Sequence, residues 1–189
     1  MMSRVLFAFG SLALVAAKPA PQPATPKLAI NAPAEVAADL SNRWTLDLST
    51  GGQVVIQLRP DVAPGHVAQI KALTRAGFYN GLSFHRVIPG FMAQGGDPKG
   101  TGEGGSELPD LKAEFTPIPF LRGTVGAARS ESPDSANSQF FIMYAPNVAI
   151  DGKYTAIGRV IAGMPAVDGI APGEPPATPT KIVRASLGG

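Results

Sequence analysis

The sequence predicts a mainly β fold, an antiparallel barrel closed by helices at its ends. The chain of 189 residues contains 22 Gly and 19 Pro, a composition typical of a turn-rich protein. Short runs in which apolar and polar residues alternate recur along it, whereas two segments have the features of a helix. The length is sufficient for one well-buried domain. Together these features favour a barrel over a helical bundle.

Residues 1–17 have the features of a secretory signal peptide. Arg4 supplies the positive charge, residues 5–15 form a nearly unbroken apolar run, and small residues follow up to Ala17. The run is too short to cross a bilayer comfortably, so we expect cleavage near Ala17 and no stable membrane insertion. The alternative is an uncleaved membrane anchor. Export without any cysteine is consistent with a bacterial periplasmic protein, which is the location we expect.

The next segment, residues 18–41, contains five prolines among alanines and few large apolar side chains. This composition predicts a semi-extended tether, with the folded domain over residues 42–189. Alternation of apolar and polar residues on both sides of Gly51-Gly52 predicts a hairpin over residues 43–58.

A helix is predicted over residues 64–76, because Pro64 suits a first turn and Gly77 suits a helix end. Its inward face would carry Val67, Ile70 and Leu73. A second, short helix is predicted to begin at Met164-Pro165 and to end before Gly173. Further strands are predicted near residues 83–88, 91–95, 124–128, 139–143, 155–161 and 180–187.

Several common functional sites are excluded or disfavoured. A net charge of +2 without a basic cluster gives no support for nucleic-acid binding. With two histidines and no cysteine, a zinc site is improbable, and we expect neither a metal nor another cofactor. The G-x-G-x-x-G pattern at residues 100–105 lacks a preceding strand and a following helix, so it predicts a loop. There is no G-x-S-x-G motif, and His85, Asp97, Asp134 and Asp151 are interpreted as structural residues.

The run from Phe84 to Asp97 is the most informative segment. It reads Phe-His-Arg-Val-Ile-Pro-Gly-Phe-Met-Ala-Gln-Gly-Gly-Asp and places Arg86 among large apolar side chains, with Gln94 nearby. A guanidinium on an apolar surface is costly unless its donors have a specific use. The segment therefore predicts an apolar slot with one fixed cationic donor. The alternative is two short strands in which Arg86 only forms a surface ion pair.

This run resembles the signature of the cyclophilins, the peptidyl-prolyl cis-trans isomerases. Residues 123–142, which end in Ser-Gln-Phe-Phe-Ile, and residues 150–158, Ile-Asp-Gly-Lys-Tyr-Thr-Ala-Ile-Gly, are similar to two further segments of the family. The resemblance covers roughly residues 43–187. It implies the family's closed eight-stranded antiparallel barrel, here with two helices, and an active groove on the outer face of that barrel.

The resemblance also implies a site. Arg86 corresponds to the catalytic donor, and Gln94 and Gln139 would hydrogen-bond the substrate or hold Arg86. Ala128 and the backbone of Arg129 would receive the residues before the proline. The remaining positions would line or border the proline pocket: Phe91, Met92, Phe141, Ile150 and Tyr154. Ala149 and Tyr154 stand where the best-known eukaryotic members have tryptophan and histidine, and Arg129 replaces a common asparagine.

The expected function is that of an exported bacterial peptidyl-prolyl cis-trans isomerase. Its partners would be proline-containing unfolded or partly folded polypeptides, and we expect a monomer. The main alternative is a chaperone or scaffold that binds proline segments without catalysis. The missing tryptophan slightly favours this alternative, whereas Arg86, Gln94 and Phe141 favour the enzyme.

Overall fold

The computed structural model describes residues 30–188. The predicted signal peptide and residues 18–29 of the predicted tether lie outside this range. The helices are α1 (Ala34–Ala38), α2 (Pro64–Arg75) and α3 (Met164–Asp168), with short 3-10 turns at Leu40–Asn42 and Val148–Ile150. The strands are β1 (Arg43–Leu48), β2 (Gln53–Leu58), β3 (Phe84–Ile88), β4 (Met92–Gly95), β5 (Thr124–Ala127), β6 (Phe140–Met143), β7 (Ala156–Ala162) and β8 (Ile182–Leu187).

All eight strands belong to one antiparallel sheet in the order β3-β4-β6-β5-β7-β2-β1-β8. The sheet curls into a half-barrel, and its inner face carries a large cluster of buried apolar side chains, here called the inner cluster. Trp44 lies at its centre, in edge-to-face contact with Tyr79 at 5.1 Å and with Phe140 at 4.8 Å between ring centroids. Such contacts stabilise a core beyond the area that they bury.

The prediction of a closed barrel is wrong. The two end strands meet only near their beginnings, through an isolated bridge between Ser83 and Lys181 and neighbouring backbone hydrogen bonds. Farther along β3, Val87 pairs instead with Gly173, in the connection between α3 and β8. Four of the residues from 171 to 180 are prolines, which have no backbone N–H to donate, so this connection cannot extend β8 as a continuous ladder.

The predicted strands, the hairpin over residues 43–58 and both predicted helices are confirmed, with ends shifted by a few residues. Val67, Ile70 and Leu73 of α2 are buried in the inner cluster as expected, and Val167 of α3 joins them.

Helix α1, however, was not predicted, and it lies within the segment interpreted as a tether. The carbonyl of Val36 in α1 accepts hydrogen bonds from the side chains of Asn42 and Gln57. The carbonyl of Ile30 accepts a hydrogen bond from Arg59. Residues 30–42 therefore pack on the domain.

Candidate functional site

The outer face of the sheet carries a row of site residues across neighbouring strands. Arg86 of β3 pairs with Gln94 of β4, which pairs with Phe141 of β6, which in turn pairs with Gly126 of β5. Directly paired residues point to the same face of a sheet. Strand pairing therefore brings Arg86 and Phe141, which are far apart in the sequence, onto the same face of the sheet.

Phe141 of this row belongs to a second group of apolar side chains, here called the outer cluster. Its strands also supply the inner cluster, because alternate residues point to opposite faces: in β6, Phe140 and Ile142 point inward, whereas Phe141 and Met143 point outward. The buried members of the outer cluster are Met92, Ile118, Phe120, Ala128, Phe141, Met143 and Ala156, and its partly buried members include Phe91, Ile150 and Tyr154.

Gly126 gives the Phe141 ring its position. A Cβ atom at Gly126 would lie 2.4 Å from Cζ of Phe141 and 2.7 Å from the ring of Phe120, closer than atoms can approach. Without that atom, Phe141 stacks on Phe120 at 5.7 Å between ring centroids, and Tyr154 meets its ring edge-to-face at 5.7 Å. Phe141 is thus held from two sides as one wall of the site.

A pocket of about 120 Å³ opens beside this wall. Nine of the ten residues expected at the site line it: Arg86, Phe91, Met92, Gln94, Ala128, Arg129, Phe141, Ile150 and Tyr154. The tenth, Gln139, lines an adjoining groove of about 560 Å³, and Gln94, Ala128 and Arg129 line both the pocket and this groove. The structure therefore brings all ten residues together around one pocket and its continuation.

The two glutamines fix each other. The Gln94 side-chain amide donates to the side-chain oxygen of Gln139 at 2.8 Å. The Gln139 amide nitrogen in turn donates to the backbone carbonyls of Gly102 at 2.9 Å and Gly104 at 2.8 Å. Neither glutamine hydrogen-bonds Arg86, so holding Arg86, one of the two roles expected for them, is not what they do in this structure.

Arg86 instead contacts Glu174, which the sequence analysis missed. Its Nε donates to Oε2 of Glu174 at 2.7 Å, and about half of each side chain is exposed. Arg86 thus forms a surface ion pair, as in the alternative interpretation of the sequence, but it also lines the pocket. Glu174 lies 88 positions away in a proline-rich connection, so no local pattern could have found it.

Arg129 contributes its side chain as well as its backbone, which was the expected contact. Its guanidinium lies 4.5 Å from the ring centroid of Tyr154 and 5.8 Å from that of Phe115. It also donates to the backbone carbonyl of Lys153 at 2.9 Å. A cation over an aromatic face is attracted to it, so Arg129 braces Tyr154 against the pocket.

His85 and Asp97 are buried behind the site and fit the structural roles expected for them. Burial lowers the pKa of His85, outweighing the opposite effect of nearby Asp97, and so favours the neutral imidazole. Burial would raise the pKa of Asp97, but backbone N–H groups, including those of Lys99, Thr101 and Gly102, hydrogen-bond the carboxylate and lower it. Asp134 and Asp151 likewise accept hydrogen bonds from the backbone.

Within residues 30–188, no three metal-ligating side chains are grouped as they would be in a metal site. The same part of the chain has no helix that is long and apolar enough to span a membrane. The site offers an apolar pocket with the guanidinium groups of Arg86 and Arg129 and the Gln94 amide in its lining, and with the Gln139 amide in the adjoining groove. These groups can bind and polarise an uncharged peptide, and a donor of this kind stabilises charge where it develops.

Comparison with known proteins gives one consistent result. Residues 45–187 match the family described as cyclophilin type peptidyl-prolyl cis-trans isomerase/CLD. A probable peptidyl-prolyl cis-trans isomerase of Brucella suis is 52% identical over 167 residues, covering 80% of this chain and 85% of the relative. The crystal structure of a cyclophilin from Hirschia baltica matches with a TM-score of 0.73 and 30% identity, covering 79% of this chain and 74% of that one.

A cyclophilin-type peptidyl-prolyl cis-trans isomerase of Cryptosporidium parvum, crystallised in the presence of the dipeptide Ala-Pro, has the same fold. It matches with a TM-score of 0.72 and 27% identity, covering 78% of this chain and 99% of that one. The family match spans most of the described residues, including all ten of the expected site. The chain therefore belongs to the cyclophilin-type peptidyl-prolyl cis-trans isomerases and is an enzyme of that class.

Proposed function

We propose that Arg86 catalyses rotation about X-Pro bonds by donating a hydrogen bond to the prolyl nitrogen in the twisted transition state. The observation that carries this proposal is the position of Arg86 at the edge of the apolar pocket, in register with Gln94 and Phe141. In a planar amide the nitrogen lone pair is delocalised. Twisting localises the lone pair on nitrogen, so a donor aimed at this atom binds the transition state better than either ground state.

The energetic requirement is modest. The X-Pro bond rotates over a barrier of roughly 18–20 kcal/mol, which gives times of tens to hundreds of seconds without a catalyst. A turnover of about a thousand per second requires about five decades, or ~7 kcal/mol of selective stabilisation. No bond forms or breaks, so the reaction needs no nucleophile, base or metal. A guanidinium suits the role because it stays protonated across the accessible pH range.

The remaining site residues hold the peptide while it rotates. Phe91, Met92 and Phe141 would grip the proline ring, with Ile150 and Tyr154 at the rim. A peptide bound in the pocket would cover the exposed part of Arg86, and the loss of water there would strengthen its hydrogen bond. Ala128, Arg129 and the paired amides of Gln94 and Gln139 would receive the backbone before the proline, along the adjoining groove.

The substrates proposed for the enzyme are proline-containing segments of unfolded or partly folded polypeptides, which expose extended backbone to an open groove. We also propose that the protein acts as a monomer, because one chain supplies every residue of the site. Light scattering of the purified protein should give the mass of a single chain.

The test of the function is Arg86→Ala with an X-Pro peptide. We expect kcat/KM to fall by about 100- to 1000-fold, as when other enzymes lose one transition-state donor. The circular dichroism spectrum and the unfolding midpoint should stay close to those of the wild type, because about half of the Arg86 side chain is exposed. Arg122→Ala is the matched control: Arg122 forms an equally exposed ion pair with Asp168 outside the pocket and should leave the rate unchanged.

Arg86→Lys separates charge from geometry. Lysine keeps the charge but lacks the planar fork of donors, so we expect it to recover only a small part of the lost rate. Near-normal turnover of a folded Arg86→Ala protein would contradict the mechanism and leave the pocket as a binding site for proline segments.

Export of the protein is a separate proposal, based on Arg4, the apolar residues 5–15 and the small residues that follow. The full chain, expressed in a Gram-negative host, should appear in the periplasmic fraction with a new N-terminus close to residue 18. Deletion of residues 2–17 should retain the protein in the cytoplasm. If the full chain and the variant without residues 2–17 were found in the same cell fraction, the proposal would be contradicted.

A further inference from the structure

We propose that Glu174 is a positioning residue for the reaction: it orients the Arg86 guanidinium so that its terminal nitrogens remain available to the bound prolyl peptide. This inference rests on the function proposed for Arg86. It adds a residue from the proline-rich connection between α3 and β8, on the opposite side of Arg86 from its strand partner Gln94.

Backbone pairing sets the contact. Val87 and Gly173 exchange two hydrogen bonds, from Val87 N to Gly173 O at 2.8 Å and from Gly173 N to Val87 O at 2.9 Å. In an antiparallel pair, the residues next to such a position face each other without backbone hydrogen bonds, and their side chains are close together. Arg86 and Glu174 occupy these places. The ion pair at 2.7 Å is therefore the outcome of a fixed register.

Gly173 makes this register possible. Its φ angle is +141°, a conformation that favours glycine, and a Cβ atom there would lie 2.6 Å from Cα of Pro176. Pro175 and Pro176 follow Glu174 and restrict the backbone after it. The carboxylate is thus presented from a constrained turn, although its side chain is half exposed.

The two glutamines of the site form hydrogen bonds with groups other than Arg86. Gln94 donates to Gln139, and Gln139 donates to two loop carbonyls. Among residues 30–188, Glu174 is the hydrogen-bond acceptor found for the guanidinium. Glu174 accepts the hydrogen bond from Nε–H, so the N–H groups of both terminal nitrogens remain available for a ligand.

An oriented guanidinium matters for catalysis more than for binding. Arginine is flexible, and a donor that samples many rotamers spends little time aimed at the prolyl nitrogen. The planar peptide of the ground state is held chiefly by the apolar pocket and the groove. Loss of Glu174 should therefore lower kcat and leave KM nearly unchanged.

The experiment compares Glu174→Ala and Glu174→Gln in the full chain, with an uncharged, end-capped X-Pro peptide. We expect kcat to fall about fivefold in Glu174→Ala, which corresponds to the upper end of the interaction free energy of an exposed ion pair. KM should change by less than about 1.5-fold. Glu174→Gln keeps an oxygen that can accept from Nε, so it should lose only about twofold in kcat.

A double-mutant cycle with Arg86→Ala gives the decisive readout. Adding Glu174→Ala to Arg86→Ala should produce no further loss, because Glu174 acts through the guanidinium. The residual rate is measured by NMR exchange at raised enzyme concentration. Asp168→Ala is the matched control, since Asp168 pairs with Arg122 at the same distance of 2.7 Å and a similar exposure. It should leave both kcat and KM unchanged.

Three results would overturn the inference: an unchanged or increased kcat in Glu174→Ala, a rise in KM without loss of kcat, or an equal loss in the Arg86→Ala background. In each case the function proposed for Arg86 stands if Arg86→Ala alone is inactive. If Arg86→Ala alone is nearly as active as the wild type, the proposed mechanism itself fails.

Discussion

The inner and outer clusters share strands β4, β6 and β7 but differ in what they contact. On the inner face, Trp44, Tyr79 and Phe140 pack edge-to-face with almost no exposed surface. On the outer face, Phe141 is also nearly buried, yet its ring lines an open pocket, and Arg86 and Gln94 lie at the edge of that pocket. Adjacent residues of one strand thus serve two purposes, and the sheet that stabilises the fold also sets the geometry of the site.

The largest expected effect comes from replacing each of the two adjacent phenylalanines of β6 in turn and comparing the stability of the two variants. Phe140→Ala should lower the free energy of unfolding by about 3–5 kcal/mol, since it leaves a cavity in a fully packed core. Phe141→Ala should cost about 2 kcal/mol, because its cavity opens into the pocket and fills with water. Urea denaturation of both variants measures this difference.

Activity should follow the opposite order. At a temperature where both variants are folded, Phe140→Ala should retain most of the wild-type kcat/KM, whereas Phe141→Ala should lose at least tenfold, about 1.4 kcal/mol. Equal losses of activity in the two variants would show that the outer face depends on the inner packing as much as on its own residues.

The residues of the outer site could be predicted from the sequence through the family resemblance, because the Phe84–Asp97 run and Ser-Gln-Phe-Phe-Ile are local signals that strand register brings together. The division between the two faces could not be predicted from β6 itself, because its residues are apolar throughout and show no alternation. Helix α1 could not be predicted, because five residues next to a proline form a helix only where Val36 finds partners in Asn42 and Gln57. Glu174 is a similar case: its contact with Arg86 depends on the Val87–Gly173 pairing, which only the folded chain creates.

Glu114 connects the segment before the outer cluster to α2, which packs in the inner cluster, and its substitution should have an effect of intermediate size. It lies in the segment before Ile118 of the outer cluster, and its carboxylate accepts from the backbone N–H groups of Gly65 at 3.0 Å and His66 at 3.1 Å, in the first turn of α2. It also lies 2.6 Å from Nδ1 of His66. Glu114→Gln should therefore destabilise the protein by about 1–2 kcal/mol at pH 7, as the loss of a helix cap does.

The pH dependence follows from the pKa of Glu114. Burial would raise this pKa, but the hydrogen bonds from His66 and Gly65 lower it below its usual value of 4.5. A lowered pKa means that the stabilisation is complete above the unfolded-state pKa and is lost as the pH falls through the folded-state pKa. The difference in unfolding free energy between wild type and Glu114→Gln should thus shrink steadily below about pH 4.5.

Two controls accompany this measurement. Glu107→Gln, at an exposed position, should leave the free energy of unfolding unchanged at pH 7 and at pH 3. The isomerase activity of Glu114→Gln at pH 7 should equal that of the wild type, because Glu114 does not line the pocket. A difference in stability that persists at pH 3 would show that the contact acts through packing and not through charge.

The smallest effect is expected for Tyr154→Phe and concerns the rim of the outer cluster. The ring of Tyr154 contacts Phe141 and Arg129, while its hydroxyl makes no hydrogen bond to any residue from 30 to 188. Removing the hydroxyl should therefore change kcat/KM by less than about twofold, whereas Tyr154→Ala should lose several-fold more, since it removes the wall and the cation–π contact together. A large loss in Tyr154→Phe, measured with the same peptide, would mean that the hydroxyl contacts the substrate directly. The rim would then contribute a polar group to recognition in addition to Arg86, Gln94 and Gln139.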